Sequence, residues 1–260
     1  MLDIPTELWP SHGPCGTDKS TAKTLYSLSS YFCEYLKDHT GLVPSSDVLE
    51  IGFGSGRTAR VLWDYLTPDG SYSGIDIVKR MVDWHADNIT PLRPNARFFH
   101  ANVKNAVYSN AGVVPAEYVF PFADCSFDVI FLVSVFTHMF PSDVANYLRE
   151  INRMLRPGGF VLATCFLIDD QVMDSMAAGT ARHNMRPLVG HLHTWTGASK
   201  PAPAEGCIGH SVDNHRAAYE SAGLSLVQFW EPGTWSKSDR RGNPIQDMVV
   251  AQRPREEKDV

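Results

Sequence analysis

The sequence predicts an α/β fold: a doubly wound, mostly parallel sheet of seven strands with helices on both faces. Three observations carry this. Short β-type runs alternate with amphipathic helical segments along most of the 260 residues, the pattern of strand–helix–strand units. The apolar run Val48-Leu49-Glu50-Ile51 passes directly into Gly52, Gly54 and Gly56, after which Val61, Leu62 and Leu66 fall on one helical face. Ser126 to Met139 is the most apolar strand and reads as a central parallel strand buried on both sides.

The elements follow in order. Residues 1–16 hold Pro5, Pro10, Gly13, Pro14 and Gly16 and read as extended or turning. Thr17 or Asp18 is placed to cap a helix to about Asp38, with Leu25, Leu28, Phe32, Tyr35 and Leu36 at spacings of three and four. This arm, residues 1–46, either packs on the domain edge or lies over a ligand with Tyr26 or Tyr31 facing it. The main domain is read as 47–260. Tyr72–Val78 is the second strand, followed by a helix from Lys79 to about Asn88. Ala96–Phe99 is a short third strand, and 104–122 reads as an irregular loop with one helical turn. After the fourth strand, Ser142 or Asp143 caps a helix from Val144 to Leu155, which stops at Arg156-Pro157-Gly158-Gly159. Phe160–Phe166 is strand five. Residues 168–213, rich in Gly, Pro, Ala and His, break the rhythm and read as an inserted lid or binding loop. Helix signals return at 212–222, and Leu224–Trp230 and Ile245–Gln252 are strands six and seven.

Composition excludes several classes. The net charge is −6 with no long basic run, which argues against a broad nucleic-acid-binding face. The most apolar stretch, Val129–Phe136, is far shorter than the roughly 20 residues a bilayer-spanning helix needs. The first residues show no basic and apolar leader pattern. Five cysteines form no C-x-x-C pair, so a cytoplasmic protein with reduced thiols is expected. His191-x-His193 lacks a ligand set of known spacing, and no metal is expected. Oligomeric state is left open.

The glycine turn at a helix start offers close backbone approach and free N–H groups. Its spacing is G-x-G-x-G, and Arg57 stands where a dinucleotide site wants its third glycine. Glu50 beside the turn repels a pyrophosphate but suits a cationic amino-acid tail. Both features favour S-adenosylmethionine (SAM), which carries an ammonium and a sulfonium and no phosphate, over a nicotinamide dinucleotide. The bland alternative is a turn that only reverses the chain. Asp76, twenty residues past Gly56, is placed to accept both ribose hydroxyls, or else to cap the next helix. Asn102 is placed for an adenine edge, or is a turn residue.

The set V-L-E-I-G-F-G-S-G, G-I-D-I, F-P-F-A-D-C-S-F-D-V-I and Y-L-R-E-I-N-R-M-L-R-P-G-G-F-V-L-A-T strongly resembles the class I SAM-dependent methyltransferases, over about residues 46–166 and again in the last two strands. The resemblance implies a final antiparallel strand and S-adenosylhomocysteine as product. It implies Glu50, Gly52, Gly54 and Gly56 around the methionine part, Asp76 with Ile77 at the ribose, Asn102 and Val103 near adenine, and Ser134 where strand four emerges. The stretch S-V-F-T-H-M resembles a bacterial branch acting on small molecules, sugars and natural products included. An N/D-P-P-Y/F motif after strand four is absent, which disfavours DNA-base and glutamine N-methylation.

Methyl transfer needs acceptor, methyl and sulfur held in line, and an alcohol acceptor must also lose a proton. His138, one turn past strand four, is the candidate base, or else a histidine that only bonds a backbone carbonyl. Asp169 and Asp170 after strand five, and His193 in the inserted segment, are weaker alternatives; the aspartates read equally as loop caps. His183, His191, His210 and His215 read as solvated loop histidines. Arg182 and Arg186 would suit an anionic acceptor, and Trp195, Trp230 and Trp235 would stack on a ring or pack in the core. The expectation is O-methylation of a small acceptor, without nucleic acid or membrane. The alternatives are N-methylation or carboxyl or peptide methylation, and a SAM-binding subunit without chemistry.

Overall fold

The computed structural model describes residues 19–181, 183–198, 201–229, 233–236 and 246–255. The side chain of Tyr26, the cap candidates Thr17 and Asp18, Arg182 and Trp230 lie outside the described residues.

Seven strands form the main sheet: β1 (Asp47–Ile51), β2 (Ser71–Asp76), β3 (Ala96–His100), β4 (Phe127–Leu132), β5 (Leu155–Cys165), β10 (Ser225–Phe229) and β11 (Asp247–Gln252). Their order is β10-β11-β5-β4-β1-β2-β3. β1 pairs in parallel with both β2 and β4, and β2–β3 and β4–β5 are parallel as well. β11 runs antiparallel to β5 and to β10. The order reverses at β1, and ligands of open α/β sheets bind at such switch points, beyond the carboxyl ends of the strands.

Alternation along the central strands divides the core in two. Val48, Val129, Phe131 and Leu162 face α1 (Lys19–Thr40) and α2 (Arg57–Tyr65), burying Cys33, Leu36 and Leu62. Leu49, Ile51, Ile130 and Leu132 face the other way, onto Val144, Leu148 and Ile151 of α4 (Pro141–Met154) and Tyr219 of α6 (Val212–Ser221). α3 (Lys79–Asn88) adds Met81 and Val82 around Phe53. The amino-terminal helix is thus a core element of one face. Tyr31 on it is exposed and its ring lies against Phe32 and Tyr35.

Three local expectations are corrected. α4 begins earlier than expected: Pro141 occupies its first turn, and Asp143 is the third helical residue, whose Oδ2 accepts the Phe140 N–H at 3.0 Å. Arg156-Pro157-Gly158-Gly159 is not a turn before β5. The strand starts at Leu155, and the pairing with β4 slips there, from Phe127↔Leu155 to Val129↔Phe160, so the segment forms an irregular stretch of the strand. Gly158 takes φ +84 in it.

The third correction concerns 168–213, whose described residues carry regular elements. It carries α5 (Asp170–Ala177) and most of a second sheet, order β6-β9-β8-β7, from β6 (Leu167–Ile168), β7 (Arg186–Pro187), β8 (Thr194–Thr196) and β9 (Ile208–Ser211). Polar and glycine-rich composition hid strands of two to four residues. This unit has its own core of Phe166, Ile168, Val172, Met176, Met185 and Trp235. Trp235 is fully buried and its Nε1–H donates to the Leu167 carbonyl at 3.0 Å. Among the described residues no helix is long and apolar enough to cross a membrane.

Trp235→Ala empties the centre of this small core. It is expected to cost about 3–5 kcal/mol, read as a lowered midpoint in denaturant unfolding.

Candidate active site

The turn after β1 is built as the glycine spacing requires: Gly52, Gly54 and Gly56 have φ of +76, +54 and +71. At Gly56 a second constraint applies, because an added Cβ would collide with the His85 ring beneath it. His85 is fully buried, and its Nδ1 lies 2.8 Å from the Met81 carbonyl. Burial lowers its pKa. At Gly54 the surroundings differ: a Cβ there would meet nothing within 4 Å. The turn is therefore packed on one side and open on the other.

Asp76 closes the end of β2. Its Oδ2 accepts the Gly54 N–H at 2.8 Å and its Oδ1 the Val78 N–H at 2.7 Å. The Val78 bond is the helix-entry contact of the capping reading, and the Gly54 bond ties the two strand ends together. Burial raises the Asp76 pKa, and the backbone N–H groups oppose that. Ile77 is half-buried and its carbonyl lies 3.2 Å from His100 Nε2. Asn102 is exposed, Val103 is buried, and the Asn102 carbonyl accepts the Val113 N–H.

Glu50 does not sit at an open surface. It is 2% exposed and accepts the Tyr72 phenol proton at 2.7 Å. Burial pushes its pKa up to about 8, so near neutral pH it holds a proton. The Tyr72 hydrogen bond and the Arg57 charge oppose that rise, and a ligand cation at the turn would oppose it further.

Past β4, Ser134 takes φ +62, rare for a residue with a side chain. Its N–H donates to Thr164 Oγ1 at 2.7 Å, and its hydroxyl donates to Gln246 Oε1 at 3.1 Å. Thr164 also donates to Gln246. Phe136–His138 then forms a single 3₁₀ turn. His138 Nδ1 lies 2.6 Å from the Glu205 carbonyl. A carbonyl only accepts, so Nδ1 carries the proton and Nε2 presents its lone pair. Nε2 faces the Tyr108 hydroxyl at 3.3 Å. Burial lowers the His138 pKa, which keeps the ring neutral.

The other candidates fall elsewhere. Asp169 caps α5, with Oδ1 accepting the Val172 N–H at 2.8 Å. His193 is exposed in the turn between β7 and β8. His191, also exposed, stacks on Phe140 with ring centroids 4.6 Å apart. His210 and His215 are not solvated: they are 3% and 2% exposed, packed together under α6. Burial lowers both pKa values, that of His210 to about 4. His183 is half-buried against Phe166 and Trp235. Arg186 is exposed on β7, Trp195 is half-buried, and Trp235 is core. Among the described residues no three His, Cys, Asp or Glu side chains gather for a metal.

The sequence reading missed His85, Thr164, Gln246, Tyr108 and the Glu205 carbonyl. A hydrophobic helix face flagged no role for His85, and the others lie far apart in the chain.

A family described as a methyltransferase domain matches residues 49–163. That span runs from β1 to β5 and contains the glycine turn, Asp76 and His138. This span is a SAM-dependent methyltransferase domain. A ubiquinone/menaquinone biosynthesis C-methyltransferase of Hahella chejuensis is 26% identical over 196 residues, 74% of this chain and 72% of the relative. An arsenite methyltransferase of Aquipseudomonas alcaligenes is 30% identical over 142 residues, 52% of this chain but only 37% of the relative. A geranyl diphosphate C-methyltransferase of Streptomyces coelicolor, solved with S-adenosylhomocysteine, shares the fold with a TM-score of 0.56 at 14% identity, over 94% of this chain and 85% of that one. The methyl donor of this methyltransferase is SAM.

The strand-end residues fit that donor. Gly54 borders open space, and beside it Asp76 ends β2 with a carboxylate, a group that accepts hydroxyls.

Two outcomes are expected. Asp76→Asn turns one oxygen into a donor and should weaken SAM at least tenfold. At a fixed saturating SAM concentration the ligand-induced stabilisation then falls by about 1.4 kcal/mol, read from melting shifts. For Glu50 the sign runs against the usual acid. Unfolded, it ionises near about 4.3; folded, near about 8. Between these the unfolded state binds fewer protons, so stability falls as pH rises. Glu50→Gln should flatten this decline, with the gain over the parent growing up to about pH 8 and holding above it in urea unfolding.

Proposed function

We propose that this methyltransferase transfers its methyl group to an oxygen of a small-molecule acceptor, the hydroxyl of a sugar or similar natural product. The observation that carries this reading is His138. Its proton is held at Nδ1 by the Glu205 carbonyl, which makes Nε2 the accepting nitrogen, facing the Tyr108 hydroxyl beyond the carboxyl end of β4. An alcohol needs such a base as the new bond forms. A strongly basic neutral amine does not, so a built neutral imidazole favours oxygen over nitrogen.

In this reading the Gly52–Gly56 turn and Glu50 hold the methionine part, Asp76 accepts the ribose hydroxyls beside Ile77, and Asn102 and Val103 border adenine. Ser134, fixed in its left-handed conformation, shapes the floor where β4 ends. Bound there, SAM supplies an activated methyl on a sulfonium, already a good leaving group. The protein's task is alignment, proton removal and exclusion of water. The 168–213 unit acts as the acceptor lid. Two contacts support this: the Glu205 carbonyl on His138 and the His191–Phe140 stack both bring the unit against the end of β4. Relatives named for carbon and arsenic acceptors support a small acceptor while differing in the atom methylated. The proposed setting is the cytoplasm, consistent with the free thiols of Cys33, Cys125, Cys165 and Cys207.

The test is transfer of labelled methyl from SAM into a host extract separated by molecular size, with Asp76→Ala as control. Label in the small fraction, lost in the control and released with an oxygen-linked product, is the expected result. Label in protein or nucleic acid refutes the small acceptor. His138→Gln is expected to slow transfer by about 10²-fold or more with little change in SAM binding.

A further inference from the structure

His138 does not face open space through Nε2; it faces Tyr108. The loop that carries this tyrosine is built to keep it there. Asn105 is the pivot: its Oδ1 accepts the Val107 N–H at 3.0 Å, and its Nδ2 donates to the His138 carbonyl at 3.0 Å. The Tyr108 and Ser109 N–H groups both donate to the Asn105 carbonyl. A pairing of Val103 with Val113 closes the base of the loop. The Tyr108 ring stands edge-on to the imidazole, with centroids 5.3 Å apart and an interplanar angle of 89°. It is 49% exposed, whereas His138 is half-buried. Partial burial raises the Tyr108 pKa, and the Asp76 charge raises it further. The phenol therefore lies within electrostatic reach of the nucleoside end of the site while bonded to His138.

We infer that Tyr108 is the catalytic residue that touches the acceptor, and that its phenol relays the acceptor's proton to His138. This rests on the small-hydroxyl-acceptor reading above. In the step, the acceptor oxygen forms its bond to the methyl carbon as the sulfur–carbon bond breaks and its electron pair stays on sulfur. The acceptor proton moves to Tyr108 Oη as the phenol proton moves to His138 Nε2. The resulting imidazolium keeps its Nδ1–H on the Glu205 carbonyl and later loses a proton to water. The 3.3 Å separation is of the length expected of a catalytic hydrogen bond before substrate tightens it. A tyrosine here also gives the acceptor an aromatic edge to lie against.

The test uses Tyr108→Phe, which keeps the ring and removes only the hydroxyl, together with His138→Gln and the double variant. The assay is labelled-methyl transfer into the small-molecule fraction, split into kcat and KM. S-adenosylhomocysteine melting shifts check folding and cofactor binding. Tyr108→Phe should lower kcat by about 10²-fold with the melting shift retained, and the double variant should be no slower than the slower single one. A second readout needs no acceptor: the imidazole nitrogen resonances of His138 in the S-adenosylhomocysteine complex. Tyr108→Phe should move the Nε2 resonance and leave Nδ1 in place. A Tyr108→Phe enzyme at the parent rate, or an unmoved Nε2 resonance, overturns the relay. If the parent labels only macromolecules, the acceptor reading fails and the relay to a small hydroxyl fails with it. A moved Nε2 resonance would then identify the error as the acceptor class, with the phenol–imidazole bond itself intact.

Discussion

One carboxylate fixes the frame of this site. Asp76 joins the turn after β1 to the end of β2 by accepting the Gly54 N–H with one oxygen and the Val78 N–H with the other. Parallel strands deliver their carboxyl ends to one edge of the sheet, but they do not by themselves set the distances between the loops that follow. The two bonds do that here. A buried carboxylate is unstable without donors, and here backbone N–H groups of the two loops supply them. The cost of burying Asp76 thus becomes the force that shapes the glycine turn, with His85 filling the space beneath Gly56.

Much of this was legible in the sequence, and the reasons differ by element. β4 could be read because a strand buried on both faces is apolar at nearly every position, and apart from Asp128 it is buried throughout. The glycine turn could be read because three positive-φ positions at fixed spacing leave few residue choices. Asp76 was placed by its distance from that turn. Glu50 was identified as special, but its environment was not: whether a carboxylate at a strand end points to solvent or into the helix layer depends on strand register, and Tyr72 comes from the neighbouring strand. His210 and His215 were misread because histidine in a polar, glycine-rich stretch looks solvated. Their burial depends on α6, which carries His215 on its inner face against His210 of β9. The strands of the second sheet are too short to leave a periodic signal.

The histidines show how one residue type is given opposite tasks by its surroundings. His210 and His215 are buried in the body of the fold, where burial holds them neutral and they contribute packing. His138 is neutral for the same reason, but one nitrogen is tied to a carbonyl from a distant segment and the other is left to a phenol. The tautomer is therefore set by the second sheet unit, through Glu205, and not by the domain that carries the histidine.

The amino-terminal helix has a consequence for how this chain can be cut and recombined. It precedes every recognisable motif, yet Cys33 and Leu36 form part of the same wall as Val48, Leu62 and Leu162. A fragment trimmed to the motif-bearing span would leave that wall exposed to water and would be expected to aggregate. Grafting experiments that aim to transplant acceptor preference should exchange the segment between β6 and β9 together with Phe166 and Trp235, which share its separate core, and retain the first helix with its parent sheet.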